Sequence, residues 1–372
     1  MTDDKRRYAI ALGLLKGVGD VLARHLLQHF GNPEPVFSEK KHLLEKVPGI
    51  GKQTVAKIVA SRADALKLAE EELAFVDKNK IRVYSILEDD YPYRLRECQD
   101  APMTFYFKGR AELNAARVIS VVGTRNATEY GRSLTEAMLR DLAAMFPDVL
   151  VVSGLAYGID ICAHRNALKN GLPTVGVLAH GLDRIYPAFH RNIAVEMLGH
   201  GGLLTDFVSK TTPVRENFLQ RNRLIAGLAD ATVVVESAEK GGALVTANIA
   251  FSYSRDVYSF PGRTTDEHSC GCNRLIQTNR AGLITSARDL AEALGWDTAK
   301  KTPGAADARL PFRDSVPDHP LLALLAEKGE MQINDLATSA GMPVYRLSPM
   351  LFELELAGHV KALPGSVYKL NL

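Results

Sequence analysis

Four short loops hold the residue types that can do chemistry. Val122-Gly123-Thr124-Arg125 follows one apolar run, and Ser153-Gly154-Leu155-Ala156-Tyr157-Gly158-Ile159-Asp160 follows a second. A third loop runs from Glu236 through Gly241-Gly242-Ala243-Leu244 to Thr246, and a fourth is Pro261-Gly262-Arg263. Glycine lets backbone N–H groups come close to a ligand, and a helix start beside them favours an anion. Thr124 and Ser153 add hydroxyl donors, and Arg125 adds a planar charged fork matched to phosphate. Together the loops describe a phosphate site, with Gly123, Thr124, Arg125, Ser153, Gly154, Gly242, Ala243, Leu244 and Thr246 as its candidate residues.

The missing features narrow the ligand. A dinucleotide fingerprint needs Gly-x-Gly-x-x-Gly after the first strand and an acid at the end of the second. No such glycines follow Gly123, and the second strand ends in Ser153. Gly49-Ile50-Gly51-Lys52-Gln53 imitates part of an ATP-binding P-loop but has Gln where the Ser or Thr must stand. A nucleotide hydrolase would want an acid after its glycine pair, and Gly241-Gly242 leads only to Ala243, Leu244 and Thr246. Glu236 and Asp160 remain as the acids an enzyme on a nucleotide or nucleotide-sugar would have to use, and that reading stays open as the alternative.

A basic stretch lies downstream. Arg215, Phe218, Arg221, Asn222 and Arg223 set an aromatic among three arginines, with Phe218, Arg221 and Asn222 at i, i+3 and i+4 on a helix. Cations that follow a backbone, beside a ring on which a base can stack, suit an unpaired nucleic-acid strand. A core phenylalanine with solvated arginines would look the same.

These loops need a frame. Val118–Val122, Val149–Val152, Thr174–Leu178, Ala231–Val235 and Asp256–Phe260 are short apolar runs. They alternate with helical stretches at Tyr130–Ala144, Asp160–Asn170 and Phe218–Leu228. That alternation predicts an α/β fold with a mostly parallel, Rossmann-like sheet, whose ligands sit beyond the carboxyl ends of the strands. Further strands are expected at Arg82–Leu87 and Thr104–Lys108.

The domains expected are a helical one over 1–70, the Rossmann-like one over 71–296, a Lys-, Pro-, Ala- and Asp-bearing linker over 297–318, and an end piece over 319–372. In the first, Leu15-Lys16-Gly17-Val18-Gly19 and Val47-Pro48-Gly49-Ile50-Gly51 each read as the hairpin of a helix-hairpin-helix unit, whose turn amides can face a phosphate. The last reads helix, strand, helix, helix, strand, strand, the order of a winged helix, with Asn334 as an expected N-cap and Gly358 as a C-cap. Its recognition helix carries Glu353 and Glu355 beside Arg346, which favours protein contact over a DNA groove.

Bulk properties add limits. The 372 residues carry a net charge of only +2, so any basic surface is local. Four irregularly spaced cysteines argue against a disulfide framework, and Cys270-Gly271-Cys272 is too tight for a usual zinc pair. No signal peptide, membrane span, metal or cofactor is expected, and the cytoplasm is the default compartment.

The order and spacing of Val121-Val122-Gly123-Thr124-Arg125, Tyr130-Gly131, Ser153 to Asp160 with Ala163-His164, Tyr186-Pro187, Arg221 to Leu228, Gly242 to Ala247 and Pro261-Gly262 resemble the DprA/Smf family (DNA-processing protein A). The flanking helix-hairpin-helix and winged-helix pieces resemble that family's accessory domains. The resemblance implies a bacterial, non-enzymatic protein that binds and protects single-stranded DNA and loads the recombinase RecA in natural transformation. It also implies a homodimer through the Rossmann-like domain. It places the family's Gly-Ser/Thr-Arg loop on Gly123-Thr124-Arg125 and its basic-aromatic strand contact on Arg215 to Arg223. Phe218-Leu219-Gln220 stands where the family has Phe-Pro, and Gly241-Gly242 where it has Ser-Gly.

Overall fold

The computed structural model describes residues 3–296, 319–363 and 366–370, in two compact units, Met1–Thr298 and Ala299–Leu372. The expected linker, 297–318, lies outside the described residues.

The first unit opens with α1 (Asp3–Leu14), α2 (Asp20–Phe30), α3 (Glu34–Ser38), α4 (Lys41–Leu44) and the long α5 (Lys52–Lys78). Gly17 and Gly49 turn the two hairpins with φ of 81° each, a left-handed conformation that a side chain would strain, and Gly19 and Gly51 then cap α2 and α5. Helix α5 runs unbroken across residue 70. Its second half buries Ala69 and Val76 in one core with Val83, Met103 and Tyr106 of the sheet edge. The helical and α/β parts therefore share packing, with no chain break between them.

The sheet follows as β1 (Arg82–Ser85), α6 (Tyr93–Arg96), β2 (Thr104–Gly109), β3 (Val118–Val122), α7 (Glu129–Met145), β4 (Leu150–Ser153), α8 (Ile159–Lys169) and β5 (Thr174–Val177). A 3-10 turn (Ala188–His190), α9 (Arg191–His200), β6 (Gly202–Thr205), α10 (Arg215–Leu228), β7 (Ala231–Val234), α11 (Gly242–Ser252), β8 (Asp256–Ser259), α12 (Cys270–Gln277), β9 (Gly282–Leu283) and α13 (Ala287–Ala293) complete it. The nine strands order as β1-β2-β6-β5-β4-β3-β7-β8-β9. From β6 to β9 all pairings are parallel, and β1 and β2 add an antiparallel edge.

This order locates the site. Chain progression runs outward from β3 through β4, β5 and β6 on one side, and through β7, β8 and β9 on the other. The connections leaving β3 and β7 consequently diverge to opposite faces and open a crevice at the carboxyl ends of those two strands. Strands β3, β4, β5 and β7 are buried along their whole length, as a sheet covered on both faces requires.

The second unit holds α14 (Pro320–Lys328), β10 (Met331–Gln332), α15 (Ile333–Ala340), α16 (Val344–Leu356), β11 (Val360–Leu363) and β12 (Val367–Leu370), with sheet order β10-β12-β11. This is a winged helix. The cap of α15 is Gln332 in place of the expected Asn334. The Gln332 Oε1 accepts the Asn334 N–H at 2.6 Å, so the helix starts earlier and Asn334 lies inside it. Helix α16 leaves Tyr345, Phe352 and Leu356 exposed.

Among the described residues no helix is long and apolar enough to cross a membrane.

Candidate nucleic-acid interface

A cleft of about 340 Å³ lies at the carboxyl ends of β3, β4 and β7. It gathers Gly123, Thr124 and Arg125 with Phe218, Arg221 and Asn222 of α10 and Gly242, Ala243 and Thr246 of α11. Lys240, Ser237, Ala156 and Asp160 complete its walls.

The Gly123-Thr124-Arg125 loop is fixed from both sides. Thr124 N–H donates to Glu236 O at 2.7 Å, and Ile159 N–H donates to Thr124 O at 3.1 Å. A Cβ at Gly123 would run into Ile159, and one at Gly158 (φ 78°) into the backbone of Thr124 and Arg125, so both positions need glycine. Asn126 N–H donates to Thr124 Oγ1 at 3.2 Å, which leaves the Thr124 hydroxyl proton free to donate outward. Arg125 is exposed, its guanidinium 5.4 Å from the centre of the Phe218 ring.

Helix α11 supplies the opposite wall. It starts at Gly242 after an extended Gly241 and has no acidic residue in its first turn. The N–H groups of Gly242 and Ala243 precede the first helical acceptors, and the helix dipole adds positive potential there. Lys240, which sequence reasoning passed over, is exposed beside this start. It stood in the sequence directly before the glycine pair, the one signal that pointed to it. Leu244 turns instead toward the apolar core, and Thr246 lies on the floor with its hydroxyl donating to Gly242 O at 3.4 Å.

Several expected contacts belong to the floor and are corrected. Ser153 is fully buried, and its hydroxyl donates to Val121 O at 2.6 Å, so it staples β4 to β3 and offers nothing to a ligand. Gly154 N–H is taken by Asp160 Oδ2 at 3.2 Å. Arg221 lies under the loop, where it donates to Gly154 O at 2.7 Å and to Val177 O. Burial pulls its guanidinium down to about 10, opposed by Asp160, and it stays charged at neutral pH. Arg223 is buried too and donates to Asp206 at 2.5 Å, Asp20 at 2.9 Å and Asp100 O. Burial opposes its charge, but Asp206 and Asp20 raise its guanidinium above the usual value. The expected run of three strand-facing arginines is therefore divided. Arg215 is exposed at the start of α10, whereas Arg221 and Arg223 fall in its wholly buried second half. Asn222, although buried, does line the cleft.

The two acids that the sequence offered, Asp160 in the cleft wall and Glu236 behind the Gly123-Thr124-Arg125 loop, are structural. Glu236 accepts from Thr128 N–H at 2.9 Å and Thr128 Oγ1 at 2.5 Å, which in turn caps α7 by accepting from Gly131 N–H. Burial raises the Asp160 carboxyl, offset by Arg221 and by the N–H groups of Ala156 and Gly154.

The DNA recombination-mediator protein A family model matches residues 82–295, a DprA winged-helix model matches 305–366, and a SAM-like helix-hairpin-helix tandem model matches 11–64. Protein Smf from Synechocystis is 33% identical over 302 residues, covering 79% of this chain and 74% of the relative. An X-ray structure of DNA processing protein A from Streptococcus pneumoniae superposes with a TM-score of 0.65 at 30% identity, over 77% of this chain and 97% of that one. A structure of DNA processing protein A from Helicobacter pylori, described for its single-stranded DNA binding mode, does so with 0.52 at 26%, over 58% and 95%.

Proposed function

The chain belongs to the DNA recombination-mediator protein A (DprA/Smf) family, and from that premise we propose that it binds single-stranded DNA through the cleft at β3 and β7. One observation carries the reading. The exposed cations of the cleft, Arg125 and Lys240, have no carboxylate partner among the described residues, while Asp160 in its wall and Glu236 behind the loop are both engaged by the fold. Such a cleft attracts a polyanion and lacks a free acid for hydrolysing it. A phosphate fits between Thr124, Arg125 and the start of α11, and the half-buried Phe218 ring offers a face to the adjoining base. Arg215, one turn ahead of Phe218, extends the cationic rim. Family membership supports the rest of the proposal: a non-enzymatic, cytoplasmic homodimer that protects incoming DNA and loads RecA during transformation.

The test is a titration of homopolymer single strands of about twenty bases over a range of salt. Arg125→Ala is expected to weaken binding roughly tenfold and to lower the slope of log K against log salt by about 0.7, one phosphate contact on a single strand. Unchanged affinity and slope would remove Arg125 from the site. A mononucleotide binding more tightly than the oligomer would return the nucleotide-enzyme reading.

A further inference from the structure

Three aromatic side chains stand in solvent beside the cleft, on the loops that follow β4 and β5: Tyr157, Tyr186 and Phe189. Phe189 is 80% exposed, the most exposed large apolar side chain among the described residues. Exposing such a ring forfeits burial energy without helping the fold, so it calls for a ligand.

The backbone beneath the rings is pinned. His190, buried, places its Nδ1 2.9 Å from Leu155 O and so ties the Phe189 turn to the loop bearing Tyr157. Its ring packs 4.9 Å from Tyr157 and 6.3 Å from Phe189. His180 Nε2 accepts the Tyr186 N–H at 3.2 Å, and its Nδ1 donates to Gly181 O at 2.9 Å, which fixes the start of the same turn. Exposed rings on a fixed backbone form a platform that does not have to be ordered on binding.

The platform is continuous with the cleft. Tyr186 lies 5.9 Å from Phe218, whose ring also has the guanidinium groups of Arg125 at 5.4 Å and Arg221 at 5.8 Å. At the far end Arg191, next to Phe189 but one, is exposed with no ion-pair partner among the described residues. Aromatic faces bracketed by unpaired guanidinium groups match a strand of alternating bases and phosphates. They match a protein partner less well, since an apolar protein contact would leave both charges unmet.

We propose that Tyr157, Tyr186 and Phe189 form a base-stacking ledge that takes the unpaired bases next to the phosphate held by Gly123-Thr124-Arg125, without reading their sequence. This rests on single-strand binding at the cleft and adds a direction to it, from β3 toward β5. The ledge is assembled across two loops, so no single motif announces it.

The experiment compares the wild type, Arg125→Ala, Phe189→Trp and the pair Tyr157→Ala with Phe189→Ala. Each is titrated with a thymidine homopolymer and with a strand of equal length in which abasic sugars replace the bases. The paired variant is expected to lose roughly 5- to 150-fold in affinity for the homopolymer, the worth of one stacked base, and nothing for the abasic strand. Phe189→Trp keeps wild-type affinity. Arg125→Ala weakens both strands. Equal loss on both strands for the ledge variants would overturn stacking. Wild-type affinity of the paired variant for the homopolymer, with Arg125→Ala still weakened, would overturn the ledge and spare the cleft. Failure of the wild type to bind either strand would sink the cleft itself. A changed sedimentation coefficient in the unliganded paired variant, with homopolymer affinity intact, would make the surface a protein contact and overturn the ledge as well.

Discussion

The floor and the rim of the cleft use the same residue type to opposite ends. On the floor, Arg221 and Arg223 are buried and engaged: one through Nη1 with two backbone carbonyls and beside the charge of Asp160, the other with Asp20, Asp206 and Asp100 O. On the rim, the Arg125 guanidinium lies over the face of Phe218, and neither it nor Arg215 has a carboxylate partner among the described residues. Two residues separate Phe218 from Arg221, yet burial reverses what the guanidinium can do. A buried fork bonded to the fold holds loops in place, and an exposed, unpaired one is left to meet phosphate. Floor substitutions should therefore show up first in stability, and rim substitutions in affinity and its salt dependence.

The largest effect is expected at Arg223. Arg223→Ala strands Asp206, which is nearly fully buried, and leaves Asp20 of the first hairpin helix without its cation. Removing one partner of a buried ion pair costs about 3–5 kcal/mol. Thermal unfolding followed by circular dichroism should drop steeply for Arg223→Ala and recover partly when Asp206→Asn is added. If the single variant melted with the wild type, Arg223 would belong to the rim after all.

A smaller, pH-driven effect is expected below the same floor. His164 is fully buried, with its Nδ1 2.7 Å from Thr174 Oγ1 and no partner at Nε2 among the described residues. Burial, then the nearby His190 and Arg221, pulls its imidazole down to about 3. In the unfolded chain the same ring titrates near 6.5. Between those values the unfolded state holds the extra proton, so stability is intact above about pH 6.5 and falls as pH drops toward 3. The slope from this one group approaches 1.4 kcal/mol per pH unit. Replacing His164 with Gln should flatten the dependence of the melting temperature on pH between about 4 and 6. An unchanged profile would mean that His164 is not the group that makes the floor sensitive to acid.

What was legible in the sequence follows the same division. The loop after β3, the glycine pair before α11 and the alternating apolar runs were readable because local chemistry decided them: a β-branched run, a glycine needed for close approach, a helix start. Burial of Arg221 and Arg223 was not, because helical spacing reports which residues share a face and not what covers that face. Strand β6, Gly202–Thr205, was missed because its glycine-rich approach at Gly199 to Gly202 reads as a turn, while its burial comes from neighbours distant in sequence. Ser153 looked like a donor by type, and only the pairing of β3 with β4 puts Val121 O within its reach. The ledge was hidden for a similar reason, since Tyr157 and Phe189 meet across His190 only once β4 and β5 lie side by side.

The smallest effect tests the rim most finely. Arg125→Lys keeps the charge and removes both the planar fork and the guanidinium stacked on Phe218. If Arg125 acted only as a point charge, this variant would bind single-stranded DNA as the wild type does. The geometry instead expects a loss of a few-fold in affinity with the salt slope unchanged, because the phosphate count stays the same while the planar fork is lost and the contact with the Phe218 ring is changed. Stability should not move, since the side chain is exposed and no floor residue leans on it. A drop in melting temperature would place Arg125 with Arg221 and Arg223, and the separation of floor from rim would fail at the residue on which it most depends.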